Sequence, residues 1–452
     1  MVLGTVGSRL TSSAALPPGP GIAATLGFVR NPYRFLDECG RRYGDWFTVR
    51  VPGVTPFVFT SDPAAIREIF QGDPELLYAG KANRPLGAFM GERSVLFLDS
   101  AAHLHDRRLI LPAFHGERMR AYGPVMRSIA REAIAKWPMG EPFAVQPSMR
   151  SITFEVIMRA GFGLGESAES TRLKELIARL FALYAGRFGS LFQLAAFRID
   201  LGPRSPWGRI VRLNREMEAA LFAEFARRRE SSQEERDDIL SMLLAARDEN
   251  GRPMSDEVIR DEMITLLLAG HETTAASLAW AMHQLAQHPE VAEAARDELS
   301  NLPGDADPPS MRYLDAVVNE TMRLCPVVPN FGRELQAPMK IAGRELSKGV
   351  VVAPCIYLTH RRADLWPNPE KFDPRRFIDS RPNPYAFFPF GGGTRRCLGA
   401  AFATYQMKIV LSEVVSRFDL APMSGYTARP VRTSIAIGPS EGMPVVLKPH
   451  AR

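Results

Sequence analysis

Phe390-Gly391-Gly392-Gly393-Thr394-Arg395-Arg396-Cys397-Leu398-Gly399 is the stretch on which the reading of this chain turns. A cysteine follows a glycine-rich loop and precedes an amphipathic run, which predicts a helix from near Cys397 to about Arg417. That order sets the sulfur at a helix N-terminus. Free backbone N–H groups and the positive end of the helix dipole are expected there to lower the thiol pKa. Thiolate is the form of cysteine that a soft iron site takes. Gly391, Gly392 and Gly393 allow a tight turn and a close approach to a flat partner. Gly399 is expected to clear a helix face. Arg395 offers a cation to an acidic group, and Phe390 an apolar shield for the sulfur.

The bulk numbers leave room for a buried site. The chain has 452 residues, 46% hydrophobic and 23% charged, which is ordinary for a globular protein. Its four cysteines, Cys39, Cys325, Cys355 and Cys397, are widely spaced with no CxxC pair. A zinc site or a disulfide framework is therefore not expected, and a reducing compartment is. Cys325 continues the apolar stripe Leu314, Val317, Val318, Met322 and reads as core. The net charge of +6 comes without a long Lys/Arg run, so an acidic protein partner suits it better than nucleic acid. Residues Met1 to Ala15 read as a flexible tail with no transmembrane or secretory stretch. Residues 16–452 read as a single domain, opened by the stiff Leu16-Pro17-Pro18-Gly19-Pro20.

Trp46 to Phe59 predicts a hairpin. The segment from Ala101 to Phe222 is helical in pattern, with breaks expected at Pro112, Gly123 and Pro203. The charge run Arg227 to Asp238 reads as a solvated helix end and loop. Ser255 to Gln287 predicts one long helix, opened by Asp256 and Glu257 and stopped by His288-Pro289. Its middle, ITLLLAGHETTAASLAWAM, is apolar almost all round, as in a helix that runs through a core. Within it a charged residue and a mid-helix glycine sit side by side, in Ala269-Gly270-His271-Glu272-Thr273-Thr274. Both are local penalties, and two together suggest function. After Leu335 the chain turns to short strands and loops. The class is mainly α with small β-sheets.

The cysteine stretch resembles the haem-binding signature of the cytochrome P450 family, with Phe390, Gly393, Arg395, Cys397 and Gly399 on its fixed positions. Three more elements follow in the family's order. The Ala269–Thr274 segment resembles the oxygen-binding kink of the long helix over the haem. Asn319-Glu320-Thr321-Met322-Arg323 resembles the Glu-x-x-Arg element, and Pro369 to Phe377 its companion. The resemblance covers the chain from Leu16 onward.

It implies a haem-thiolate monooxygenase that inserts one atom of O2 into an apolar small molecule. The cofactor would be haem b, iron protoporphyrin IX, with Cys397 as the metal ligand. His103, Arg107, Arg333 and Arg395 would hold the propionates. Ala269 and Gly270 would lie over the haem, with Glu272 and Thr273 catalytic in proton delivery. Glu320, Arg323 and Arg376 would form a buried structural triad. His271 reads as a satisfied structural histidine, and His105 and Arg108 as facing solvent or a partner. The substrate pocket would draw on Tyr78 to Arg93, Phe181 to Leu201, Leu267, Ala269, Val328 to Phe331, and Ser434 to Ile437, with Val328, Phe331 and Ile435 as its apolar wall. A fatty acid, a terpenoid or steroid, or a polyketide would suit it. Arg84, Arg93 and Arg187 read as surface.

Electrons are expected from a ferredoxin-type donor with its reductase, docking near Arg396 and Lys408. A cytoplasmic monomer without a transmembrane anchor is expected. An isomerase or peroxygenase on the same fold, and a haem sensor without turnover, are the rival readings. The acid–alcohol pair Glu272/Thr273 argues against both.

Overall fold

The computed structural model describes residues 16–21, 27–28, 31–50, 55–84, 90–165, 167–185, 199–230, 236–378, 381–433 and 435–450. The expected tail at 1–15 lies outside them, as do Arg187, Ser434 and residues 85–89 and 186–198 of the two expected pocket stretches.

One helix organises the rest. Asp256–Gln287 is continuous over 32 residues, close to the expected bounds. Ser255 caps it by accepting the Val258 N–H, and the His288 N–H closes it on Gln284 O before Pro289 stops it. It is buried along most of its length because other elements surround it. The helices Val145–Val156, Arg312–Leu324 and Ala400–Val415 and the strands Ala436–Pro439 and Phe418–Pro422 all pack on it. A helix with no polar face needs such a sheath.

The hairpin forms as expected, Trp46–Val49 pairing antiparallel with Phe57–Thr60. It extends into a five-stranded sheet through Val351–Pro354, Arg333–Leu335 and Leu77–Tyr78. Strands from 46–78 and from 333–354 thus share one sheet, and Arg333 gains a rigid mount. Three smaller sheets complete the β content of the described residues.

Three expectations need correction. Gly123 does not break a helix; it lies inside Glu117–Ile134, together with Pro124. A Cβ there would come within 2.8 Å of Tyr405 Oη, so the glycine permits a close helix crossing. The charge run 227–238 is not all solvated. Arg228 is buried and bonds Glu224, Asp238, Ser241 Oγ and Phe162 O, which satisfies its guanidinium inside the fold. The C-terminal helix begins at Ala400 with Gly399 at its cap, three residues beyond Cys397.

Candidate active site

The cysteine loop is fixed from below. Cys397 N–H donates to Phe390 O at 2.9 Å and Arg396 N–H to Gly393 O at 3.2 Å. Gly391 and Gly393 have φ of 67° and 66°, where a side chain would be strained. Two of these glycines answer to protein and not to a flat partner. A Cβ on Gly392 would lie 2.1 Å from the Phe70 ring, and one on Gly393 2.2 Å from Phe70 O. Gly399 is different. A Cβ there meets no protein atom within 4 Å.

The Cys397 side chain is accessible, yet the sulfur is ringed by enough protein that burial raises its thiol above the ordinary value. The Gly399 N–H, Arg107 and Arg396 pull the other way without prevailing. The net direction is thus up, against the expected lowering, and the helix itself begins at Ala400, three residues beyond the sulfur. A metal ion's own charge would deprotonate such a thiol outright.

Around the loop four basic side chains converge. Burial, then Arg395, Arg107 and Arg333, hold His103 down to about 3. Burial and then Arg395 bring Arg333 down to about 9. Burial, with Arg107 adding to it against the pull of Asp99, brings Arg395 down to about 10. Among the described residues Asp99 balances them closely, bonding Arg395 at 2.6 Å. Arg395 also donates to Val95 O at 3.3 Å and to Leu98 O. No hydrogen bond to the His103 ring or the Arg107 guanidinium occurs among the described residues. Clustered cations that depress one another are what an anion with two acidic groups would relieve. Together with the open face at Gly399 and the sulfur beside Arg107, the residues present fit a haem.

In its middle the central helix exposes one strip in an otherwise largely buried course. Ala269 is exposed and Thr273, four residues on, is partly so. Thr273 Oγ1 donates to Ala269 O at 2.5 Å. Gly270 faces elsewhere; a Cβ there would sit 3.3 Å from Ile157 Cδ1, so its smallness also serves helix packing. Glu272 is paired with Arg150 at 3.2 Å, a partner the sequence did not suggest. Burial still raises its carboxyl, with Arg150 opposing. His271 bonds Thr153 Oγ1 at 3.0 Å through Nδ1 and is held down to about 4, first by burial and then by Arg150.

Glu320, Arg323 and Arg376 meet in the core. Glu320 accepts from Arg323 Nε at 2.7 Å, Arg376 Nε at 3.0 Å and the Asp373 N–H at 2.9 Å. Arg323 also donates to His360 O at 2.8 Å, and His360 Nε2 accepts the Phe388 N–H at 3.0 Å. His360, Phe70, Asp99 and Arg150 carry weight here that sequence reasoning missed, since each acts on a residue far along the chain.

The expected pocket wall is only partly assembled. Val328 and Ile435 are half-buried, and their segments are joined by the Ile437 N–H bond to Val327 O at 2.8 Å. Leu267 is 1% exposed and belongs to the core, not to a wall. Phe331 stacks on Phe70 at 5.6 Å and lies over Gly391, under the cysteine loop. His105, Arg108 and Arg396 are exposed as expected. Lys408 is not available for docking; it is buried and paired with Asp315 at 2.8 Å.

Comparison with known proteins agrees with this geometry. A family model described as Cytochrome P450 matches residues 16–444. A Mycobacterium bovis protein named as a cytochrome P450, 135B1, is 41% identical over 96% of this chain and 91% of its own. A Mycobacterium tuberculosis protein named as a cytochrome P450, 135A1, is 36% identical over 98% of this chain and 97% of its own. The structure of retinoic acid-bound cyanobacterial CYP120A1 superposes with a TM-score of 0.82 and 29% identity, covering 97% of this chain and all of that one. Among the described residues no helix is long and apolar enough to cross a membrane.

Proposed function

The chain belongs to the cytochrome P450 family and is by that membership a haem-thiolate monooxygenase, and we propose that its group is haem b, its co-substrate O2 and its substrate an apolar small molecule. The observation that carries this is the convergence of His103, Arg107, Arg333 and Arg395 on the side of Cys397, with Asp99 as the acid paired to them among the described residues. Cys397 would bind the iron through its sulfur. The three arginines would hold the two propionates, exchanging mutual repulsion for charge-assisted hydrogen bonds, and the neutral His103 ring would add an N–H donor. Phe390 would keep water from the sulfur and Gly399 would let the ring approach. Bound there, the haem supplies the activation of dioxygen.

The remaining work falls to side chains. Thr273 keeps a lone pair free while its hydrogen rests on Ala269 O, and rotation about the Cβ–Oγ1 bond can redirect that hydrogen. Glu272, with its carboxyl raised, holds a proton closer to working pH than an ordinary carboxyl does. Arg150 orients it from the neighbouring helix and is itself 35% exposed, so the pair reaches toward solvent. Val328 and Ile435 would exclude water from the substrate side.

A fatty acid, a terpenoid or steroid, or a polyketide suits these apolar groups. The retinoic acid in the CYP120A1 structure, an apolar isoprenoid acid, favours the terpenoid class. Electrons would come from a ferredoxin-type donor with its reductase, docking at exposed Arg396, in a cytoplasmic monomer. Titrating the ferric protein with fatty acids, terpenoids, steroids and macrolides while following its absorption spectrum tests the substrate class. A saturable low-to-high-spin shift with one class is expected. No shift with any of them, in a protein with intact thiolate ligation, contradicts a free apolar substrate.

A further inference from the structure

Val95 has both of its backbone groups in use, and they point to opposite parts of the site. Its N–H donates to Glu262 Oε1 at 2.5 Å, and its carbonyl accepts from Arg395 Nη1 at 3.3 Å. One residue therefore ties the central helix to the cysteine loop.

Its neighbours repeat the pattern. On the helix side, Arg93 N–H donates to Asp261 Oδ2 at 3.0 Å and Thr265 Oγ1 to Ser94 Oγ at 2.7 Å. A Cβ on Gly91 would fall 1.8 Å from the Asp261 carboxyl carbon, so the chain presses directly on that acid. On the other side, Leu98 O and the Asp99 carboxylate bind Arg395. Asp99 is held in turn by the Gly80 and Lys81 N–H groups at 2.7 and 3.0 Å. Residues 91–99 form a strut. One end rests on buried Asp261, Glu262 and Thr265, the other on Arg395.

Glu262 is the costly part. It is 5% exposed, and among the described residues its one hydrogen bond is to the Val95 N–H. A buried acid without a cation would be replaced by an apolar residue at little loss unless it had a task. We infer that Glu262 is a positioning residue, which acts through Val95 to hold Arg395 where it meets the haem propionate. A one-residue bridge transmits a shift of the helix to the arginine with little slack, because each peptide plane is stiff and only the φ and ψ of Val95 lie between the two bonds. The inference rests on the haem reading given above.

Two variants of the holoenzyme test it. Glu262→Ala removes the acceptor, and Glu262→Gln keeps one without an ionisable group. Two readouts are taken: amide hydrogen exchange at Val95, and the rate of haem transfer to excess apomyoglobin. In Glu262→Ala, Val95 exchange is expected to rise about tenfold, the scale of one net hydrogen bond, with haem transfer accelerating in step. Glu262→Gln is expected to restore both. Faster exchange with haem transfer unchanged overturns the inference, and so does a glutamine variant as impaired as the alanine one. Should the alanine variant not fold, Arg395→Gln reads the link from the other end. Val95 exchange must rise there too, and unchanged exchange overturns it. Wild-type protein that takes up no haem would defeat the haem reading itself, which these outcomes leave distinguishable.

Discussion

His360 Nε2 accepts the Phe388 N–H at 3.0 Å, and through that bond the buried triad reaches the cysteine loop. The other face of the same residue is engaged as well: its carbonyl accepts from Arg323 Nη1 at 2.8 Å. Burial, reinforced by Arg323 and Arg361, holds the ring well below its ordinary pKa, so it stays neutral and Nε2 remains an acceptor. The chain of contact runs Glu320, Arg323, His360, Phe388 and on to the loop ending at Cys397.

Glu320→Ala should therefore cost haem uptake. It leaves Arg323, fully buried, and Arg376 without their shared carboxylate. Stranding a buried charge costs about 3–5 kcal/mol. The haem-to-protein ratio of the purified variant checks this, and a full complement of haem would refute it.

Gly399→Ala should separate folding from cofactor binding. The added methyl meets no protein atom within 4 Å, and φ of −82° suits alanine. Unfolding of the haem-free protein should be unchanged, while haem affinity falls. Equal losses in both would mean that the glycine serves the protein alone.

Gly123→Ala should destabilise by about 1–3 kcal/mol, the range for overpacking. The Tyr405 hydroxyl, which donates to Asp307 at 2.8 Å, is the atom in the way. Adding Tyr405→Phe leaves ring carbons at 3.6 Å, an ordinary contact. The double variant should lose less than the sum of the single ones in urea unfolding.

His271 should make the fold sensitive to acid. Its pKa is about 4 in the fold against 6.5 for the free side chain. Between those values the unfolded chain binds the proton and the folded one does not. Stability contributed by the neutral ring is thus present above pH 6.5 and lost as pH falls toward 4, with a slope of up to about 1.4 kcal/mol per pH unit. Compared with His271→Gln, the wild type should lose ground over that window and not above it. A constant difference across pH 4–7 would contradict the assignment.

What the sequence made legible follows from which contacts are local. The central helix was readable to within a residue because Ser255, Asp256 and His288-Pro289 mark its ends in place. Its facing was not. A helix apolar all round gives no stripe to orient it; Leu267, placed in the pocket by resemblance, is core, while in the middle of the helix Ala269 is exposed. The loop glycines stood out, but the reason for two of them is Phe70, far up the chain. Partners of charged groups were hidden for the same reason. Glu272 finds Arg150 across 122 residues, Arg395 finds Asp99 across 296, and Glu262 finds Val95 across 167. The late start of the C-terminal helix also escaped pattern reading, since Leu398 and Gly399 continue its rhythm without joining it.

The most direct test is the absorption spectrum of the purified protein, reduced and saturated with carbon monoxide, beside that of Cys397→Ser. The wild type should show the strongly red-shifted Soret band of a thiolate-ligated haem, and the serine variant should lose it. A wild type without haem, or with the band of a nitrogen-ligated haem, or a serine variant that kept the red-shifted band, would contradict ligation by Cys397.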